Sequence, residues 1–190
     1  MTALVVFVEE ASARIVVEAL LQRLLPDGSC IVVPHDGKGD LVKSYPRKIG
    51  AWEYPKSVPF IVLHDNDGGD CAILKKRLTH LVPPRKKSRT RIRIVMQSLE
   101  AWYLGDFEAL AAAGLIKPEK AKQLNGNAKF RNPDRVTNAK EEFFRLHDES
   151  GQMAVARLIA PHLNFDRNRS HSFKIFVQTV RDLTSLGREI

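Results

Sequence analysis

Two cysteines in 190 residues, Cys30 and Cys71, are too few for a disulfide framework or a cysteine-built zinc site, and they fit a reducing, cytoplasmic setting. No apolar run approaches the roughly 18 residues that a membrane span needs, so no membrane partner is expected. The opening MTALVVFVEE lacks a basic leader and meets acid after a short apolar run, which reads as a strand and not a signal peptide. The chain shows neither an internal repeat nor a low-complexity tract. Acids are the minority charge: 22 Asp and Glu stand against 30 Lys and Arg, a formal net charge of +8. That imbalance favours an anionic partner such as nucleic acid. The remainder, 44% hydrophobic and 27% charged, is ordinary globular composition with enough chain to bury a core.

Four short apolar runs read as strands, at 3–8, 30–33, 59–64 and 92–96. Apart from His64 and Arg93 they are apolar and not alternating, as strands covered on both faces should be. Helical patterns separate them. Residues 13–25 carry Ile15, Val16, Ala19, Leu20 and Leu24 at helical spacing after a capping Ser12, and Pro26, Asp27 and Gly28 end that helix in a turn. Further helices are expected to about Ile49 and over 70–81, with 52–57 as loop. Alternation of this kind specifies an α/β domain with a parallel sheet and right-handed crossovers. After Ser98 only helical signals follow, over 99–105, 107–114, 117–124, 138–146, 151–162 and 172–186, with a polar loop at 125–134. The expected division is an α/β domain at 1–105 and a helical extension at 106–190 packed on it.

The chemistry gathers at PFIVLHDNDGGD, residues 59–70, where an apolar strand runs into Asp65, Asn66 and Asp67. An unpaired buried carboxylate costs several kcal/mol, so such acids want a metal, a cation or water. Parallel strands place all their C-terminal tips on one edge. Glu9, the His35 to Gly39 turn, Asp65, Asp67 and Glu100 therefore share the edge where open α/β sheets bind ligands. A structural reading stands beside the catalytic one: Glu9, Glu10 and Glu100 complement helix N-termini, and Asp65 to Asp70 form a turn and a cap. His35 and Lys38 sit at the second tip as phosphate contacts or as members of a polar glycine-rich loop, and the spacing is not that of a Walker loop. A calcium loop is disfavoured, because position five after Asp65 is Gly69 and no Glu follows at the required distance.

VVFVEEAS (5–12) and FIVLHDND (60–67) resemble the Toprim domain of topoisomerases, primases and overcoming-lysogenization-defect nucleases. More of the chain, through VEEASAR, HDGKGDL, RK-x-x-AW, LHDNDGGDC, SLEAWYLGD and NRSHSF, resembles an uncharacterised bacterial Toprim-like family often encoded beside ATPases in apparent phage-defence loci. The resemblance implies a Toprim-like α/β fold and a metal-dependent nuclease, with Glu9 in acid/base work or metal binding and Asp65 and Asp67 holding Mg²⁺ or Mn²⁺. Glu100 is the further metal ligand suggested by its place on the edge. The resemblance also implies a partner ATPase. Glu10 departs from the pattern, since Toprim proteins usually place Gly after the first acid.

Arg85, Lys86, Lys87, Arg89, Arg91 and Arg93 form a basic run that precedes the fourth strand, which places it on the edge opposite the acids. Arg167, Arg169 and His171 form a second basic group, which would bind phosphate if it folded back over the acids. The expected function is a Mg²⁺-dependent nuclease acting on DNA or RNA in anti-phage defence. The alternative is a non-catalytic module that binds nucleic acid or the ATPase with a degenerate site. Phosphatase chemistry on a small phosphorylated substrate is a third option.

Overall fold

The four apolar runs become β1 (Thr2–Phe7), β2 (Ser29–Val33), β3 (Phe60–Asp65) and β4 (Thr90–Val95) of one sheet in a computed structural model that describes residues 2–26, 28–53, 55–147, 149 and 151–185. Every pairing is parallel and the order is β2-β1-β3-β4. Helix α1 (Ala11–Leu24) links β1 to β2, α2 (Lys38–Ala51) carries the chain back past β1 to β3, and α3 (Cys71–Leu81) links β3 to β4. The chain thus leaves β1 toward one edge and later continues toward the other. The switch point lies between β1 and β3, the place where such sheets leave a crevice at the strand tips.

Alternation of side chains across the sheet builds two cores. Leu4, Val6, Ile61, Leu63 and Val95 face α1 and the C-terminal helices, while Val5, Phe7, Phe60, Val62, Ile92 and Ile94 face Leu41, Tyr45 and Ile49 of α2 and Leu78 of α3. Each fully buried aliphatic side chain contributes about 1.5–3 kcal/mol, which is why the central strands β1 and β3 have no polar alternation, whereas the edge strand β4 alternates, with Arg91 and Arg93 between Ile92 and Ile94. This is the four-stranded parallel α/β sheet that the sequence pattern specifies.

The rest is helical: α4 (Glu100–Leu104), α5 (Phe107–Ala112), α6 (Pro118–Gly126), α7 (Ala139–Phe144), α8 (Gln152–Ile159) and α9 (His171–Ser185), with short 3-10 turns between. Trp102, Phe107, Phe143, Phe173 and Phe176 extend the α1-side core without a break, so that core draws on both sides of residue 105. Buried polar ties fix the arrangement. Asp106 accepts the Ala109 N–H (3.1 Å), the Asn164 N–H (2.9 Å) and both prongs of Arg167 (2.9 and 3.2 Å). Asn168 donates to the Trp102 carbonyl (2.8 Å), and Asp134 takes the Ser170 hydroxyl (2.6 Å) and the Ser172 N–H (2.8 Å).

Several boundaries differ from the sequence expectation for local reasons. Ser12 does not cap α1. It lies inside the helix, buried, and its hydroxyl donates to the Glu10 carboxylate. The basic run before β4 is a 3-10 helix, Pro84–Arg89, and Arg91 already belongs to the strand. The polar loop at 125–134 contains two 3-10 turns that bury Phe130, Pro133 and Asp134. Asp27 of the expected turn, Tyr54 of the expected loop and Leu186 at the expected end of the last helix lie outside the described residues. Among the described residues no helix is long and apolar enough to cross a membrane.

Candidate functional site

Glu9 follows β1 directly, and Asp65 is the last residue of β3, its neighbour across the switch point. The two tips are tied: the Asp65 N–H donates to Glu9 Oε1 at 2.6 Å. Glu9 is only 8% exposed, and burial is the main cause that pushes its carboxyl up to about 7, against the opposing effects of the Asp65 N–H and Lys38. Asp65 is pushed well above the usual carboxylate range, first by burial and then by the charges of Glu9 and Glu100, with Lys38 opposing. Glu100 begins α4, is buried, and accepts the Ser98 hydroxyl at 2.7 Å. Three acids thus crowd one strand tip with too little positive charge. A cavity of about 10 Å³ lies among Glu9, Glu10, Asp65 and the apolar tips of the sheet, about the room of a single water.

Two loops are locked together beside these acids. Asn66, buried, accepts the N–H groups of Gly68 (3.1 Å) and Gln97 (2.7 Å) and donates to the Gly69 carbonyl (2.9 Å), while the Asp67 N–H reaches the Gln97 carbonyl (3.0 Å). Asp67 and Gln97 both adopt positive φ, 48° and 63°, a region uncommon for residues with a side chain and often held at functional sites. The exposed Asp67 carboxylate is ion-paired with Lys38 of α2. Gly37, at φ 87°, starts α2 and donates its N–H to the Glu9 carbonyl (2.9 Å), so the β2 turn leans on the β1 tip.

The structure brings together Glu9, Asp65, Asp67, Glu100 and Lys38. His35 is adjacent but buried and engaged: Nδ1 donates to the Val8 carbonyl (2.9 Å) and Nε2 accepts from Lys48 (3.0 Å), which makes it a strut between β1 and α2. Arg167 is held by Asp106 and by Glu108 (2.8 Å), and Arg169 by Asn125 (2.9 and 3.2 Å). Neither contacts any of the four acids among the described residues; both are committed to partners in the helical half. His171 is exposed at the start of α9.

Three residues at the site escaped the sequence reading. His64 is buried, with Nδ1 donating to the Asp65 carbonyl (2.6 Å) and standing 3.1 Å from Glu9 Oε1; burial lowers its pKa and keeps the ring neutral. Asn66 had a signal, its place between two acids ahead of Gly-Gly. Gln97 had none. Tyr103 is buried nearby, and its hydroxyl is pushed up by burial and then by Glu100, Glu10 and Asp65. Beside Glu10 an open hollow of about 420 Å³, bordered by Ser12, His35, Asp36 and Gln152, has room for a nucleotide-sized group.

Among the described residues no three His, Cys, Asp or Glu side chains stand close enough to form a closed metal cage. The donor chemistry nevertheless fits Mg²⁺ or Mn²⁺. The donors are all carboxylate oxygens, the charges of Glu9 and Glu100 add to burial in raising Asp65, and Mg²⁺ is ordinarily held by one or two carboxylates with waters and substrate phosphates completing its shell.

The model of a family described as "Domain of unknown function (DUF4276)" matches residues 8–181. In three dimensions the chain is similar to the C-terminal region of the Burkholderia pseudomallei OLD protein, with TM-score 0.58 and 15% identity over 97% of this chain and 99% of that one. It is also similar to the C-terminal region of the Xanthomonas campestris pv. campestris OLD protein, with TM-score 0.54 and 16% identity over 100% and 99% of the two chains. No curated protein matches it in sequence. The fold is therefore the Toprim-like one of OLD C-terminal regions, as the strand-tip motifs imply.

Proposed function

The chain belongs to the DUF4276 family, and we propose that it is a nuclease that uses Mg²⁺ or Mn²⁺ to hydrolyse phosphodiester bonds of DNA or RNA. The observation that carries this reading is the Asp65 N–H bond to Glu9, which draws two acids from separate strands together at the switch point under a shortage of positive charge. A purely structural pair of acids would be neutralised by a buried cation, and among the described residues none touches Glu9 or Asp65. Glu9 and Asp65 hold the metal, and Glu100, beside Asp65, supports it. A divalent ion there supplies a Lewis acid that neutralises charge growing on a phosphate and lowers the pKa of a bound water. Asp67 adds an oxygen when Lys38 leaves it, and Lys38 is then free to meet a substrate phosphate. His64 and Asn66 position the acids, and the His35 strut sets the β2 turn beside them.

The likeness to C-terminal regions of OLD proteins supports a chain that works with other machinery. On the resemblance set out above we assign that machinery to a partner ATPase and the setting to anti-phage defence. Two observations favour the non-catalytic alternative: Asp67 is occupied by Lys38, and among the described residues no closed cage stands ready.

The test is cleavage of labelled plasmid DNA and total transfer RNA with Mg²⁺, Mn²⁺ or EDTA, with and without any ATPase encoded nearby, comparing wild type with Asp67→Ala. Metal-dependent cleavage that the variant loses is expected. If no substrate is cut under any condition, and metal raises the melting temperature of wild type no more than that of the variant, the nuclease reading falls and the binding module replaces it.

A further inference from the structure

Residues 71–93 contain no acid and nine Lys and Arg. In the fold this run becomes α3, the 3-10 helix Pro84–Arg89 and the first part of β4. Since β3 and β4 are parallel, α3 must start at the acid edge, where Asp70 caps it through the Ile73 N–H (2.9 Å), and end at the opposite edge. Leu78 is its only buried residue, and Ile73 is 69% exposed. A crossover helix that buries so little of itself leaves most of its circumference available to a partner.

Its charges are uncompensated. Lys75, Lys76 and Lys87 border one shallow hollow of about 450 Å³ between α3 and the 3-10 helix. Lys56 and Arg89 border a second, of similar size, under the strand starts. None of these five forms an ion pair among the described residues. Arg85 and Lys86 are different, since they donate to the carbonyls of Gly50 (3.2 Å) and Trp52 (2.8 Å) and so close the end of α2. Trp52 also lines the second hollow, and its buried indole N–H has no acceptor among the described residues.

We propose that α3 and the following 3-10 helix form a track for a nucleic-acid backbone, with its far end in the Trp52 hollow and its near end at the acid edge. A row of cations in which the one carboxylate, Glu53 at the rim of the second hollow, is outnumbered by Lys56, Arg85, Lys86 and Arg89, joined to a spare N–H donor, recognises successive phosphates and does not need a base sequence. The six residues of β3 span roughly 20 Å, so the track matches about six base pairs of duplex. The basic run, although on the edge opposite the acids, then belongs to the same bound strand. What lies at the near end of the track rests on the nuclease reading, whereas the track itself is tested without it.

The experiment is fluorescence anisotropy of a labelled 20-base-pair duplex with the full chain in EDTA, where metal-dependent cleavage cannot occur, over a series of salt concentrations. The track variant carries Lys56→Gln, Lys75→Gln, Lys76→Gln, Lys87→Gln and Arg89→Gln. The control carries Lys117→Gln, Lys120→Gln, Lys122→Gln, Lys140→Gln and Lys174→Gln, with the same change of net charge. The track variant is expected to bind at least tenfold more weakly than the control, and its slope of log affinity against log salt to be shallower by about 4. Equal binding by the two variants overturns the track. So does full displacement of duplex by inorganic triphosphate at equal phosphate concentration, which would make it a small-anion site. Track-dependent binding in a chain that cuts nothing would sink the nuclease reading alone.

Discussion

Glu9→Gln isolates the charge at the switch point. The carboxyl of Glu9 titrates at about 7 in the fold against 4.5 in the unfolded chain, chiefly because it is buried. A group whose folded pKa is raised contributes its full stability below the unfolded value and loses it as pH climbs through the folded one. At 1.36 kcal/mol per unit, the charged form therefore costs the metal-free fold up to about 3 kcal/mol at pH 8 relative to pH 4. Glutamine keeps an oxygen to accept the Asp65 N–H and removes the charge. In EDTA at pH 8 the variant should melt higher than wild type by several degrees, since about 1 kcal/mol moves the midpoint of a chain this size by roughly 2–4 °C. At pH 4 the two curves should converge, and Mg²⁺ at pH 8 should raise wild type and leave the variant in place. Differential scanning fluorimetry across pH with and without Mg²⁺ measures all three. A variant that melts below wild type at pH 8 in EDTA, or a gap that persists undiminished at pH 4, would refute the claim that Glu9 is an uncompensated acid.

Two further substitutions test the supports of the site. Asn66→Ala removes the acceptor for the Gly68 and Gln97 N–H groups and should cost about 2 kcal/mol in urea unfolding, while metal-dependent cleavage falls at least tenfold because the acid loops come apart; unchanged cleavage would mean that the lock is idle. Gly105→Ala drives a methyl into Asn168 Oδ1 and to 3.0 Å from the Ser170 nitrogen, and should lower the urea midpoint by the equivalent of about 2–3 kcal/mol, an effect that a neutral result would contradict.

The strands were legible because a parallel strand buried on both faces needs an unbroken apolar run, and Val5, Val6, Phe60, Ile61 and Val62 satisfy both faces in alternation. Strand order was less so, yet placing Glu9 and Asp65 on one edge required only that the sheet be parallel. What sequence could not convey are the partnerships made by residues far apart in the chain. His35 looks like a loop residue until Val8 and Lys48 take its two nitrogens, and Asp67 looks like a ready ligand until Lys38 pairs with it. The fate of Arg167 depended on Asp106, some sixty residues away and fully committed to holding the helical half.

The same limit explains why the basic run was hard to weigh. Sequence places Arg85 to Arg93 far from the acids along the strand direction, which argues against contact with a scissile phosphate; the structure agrees for Arg85 to Arg89, whereas Arg93 lies within β4 opposite Leu63, two residues from Asp65. It also shows that α3, which spans the distance, keeps Lys75 and Lys76 in solvent because only Leu78 is fully buried in the core. Exposure of a crossover helix is a property of how much sheet lies beneath it. With β4 as the edge strand, α3 covers the margin of the sheet and little else, so its charges are left facing outward and can link an acid edge to a basic one.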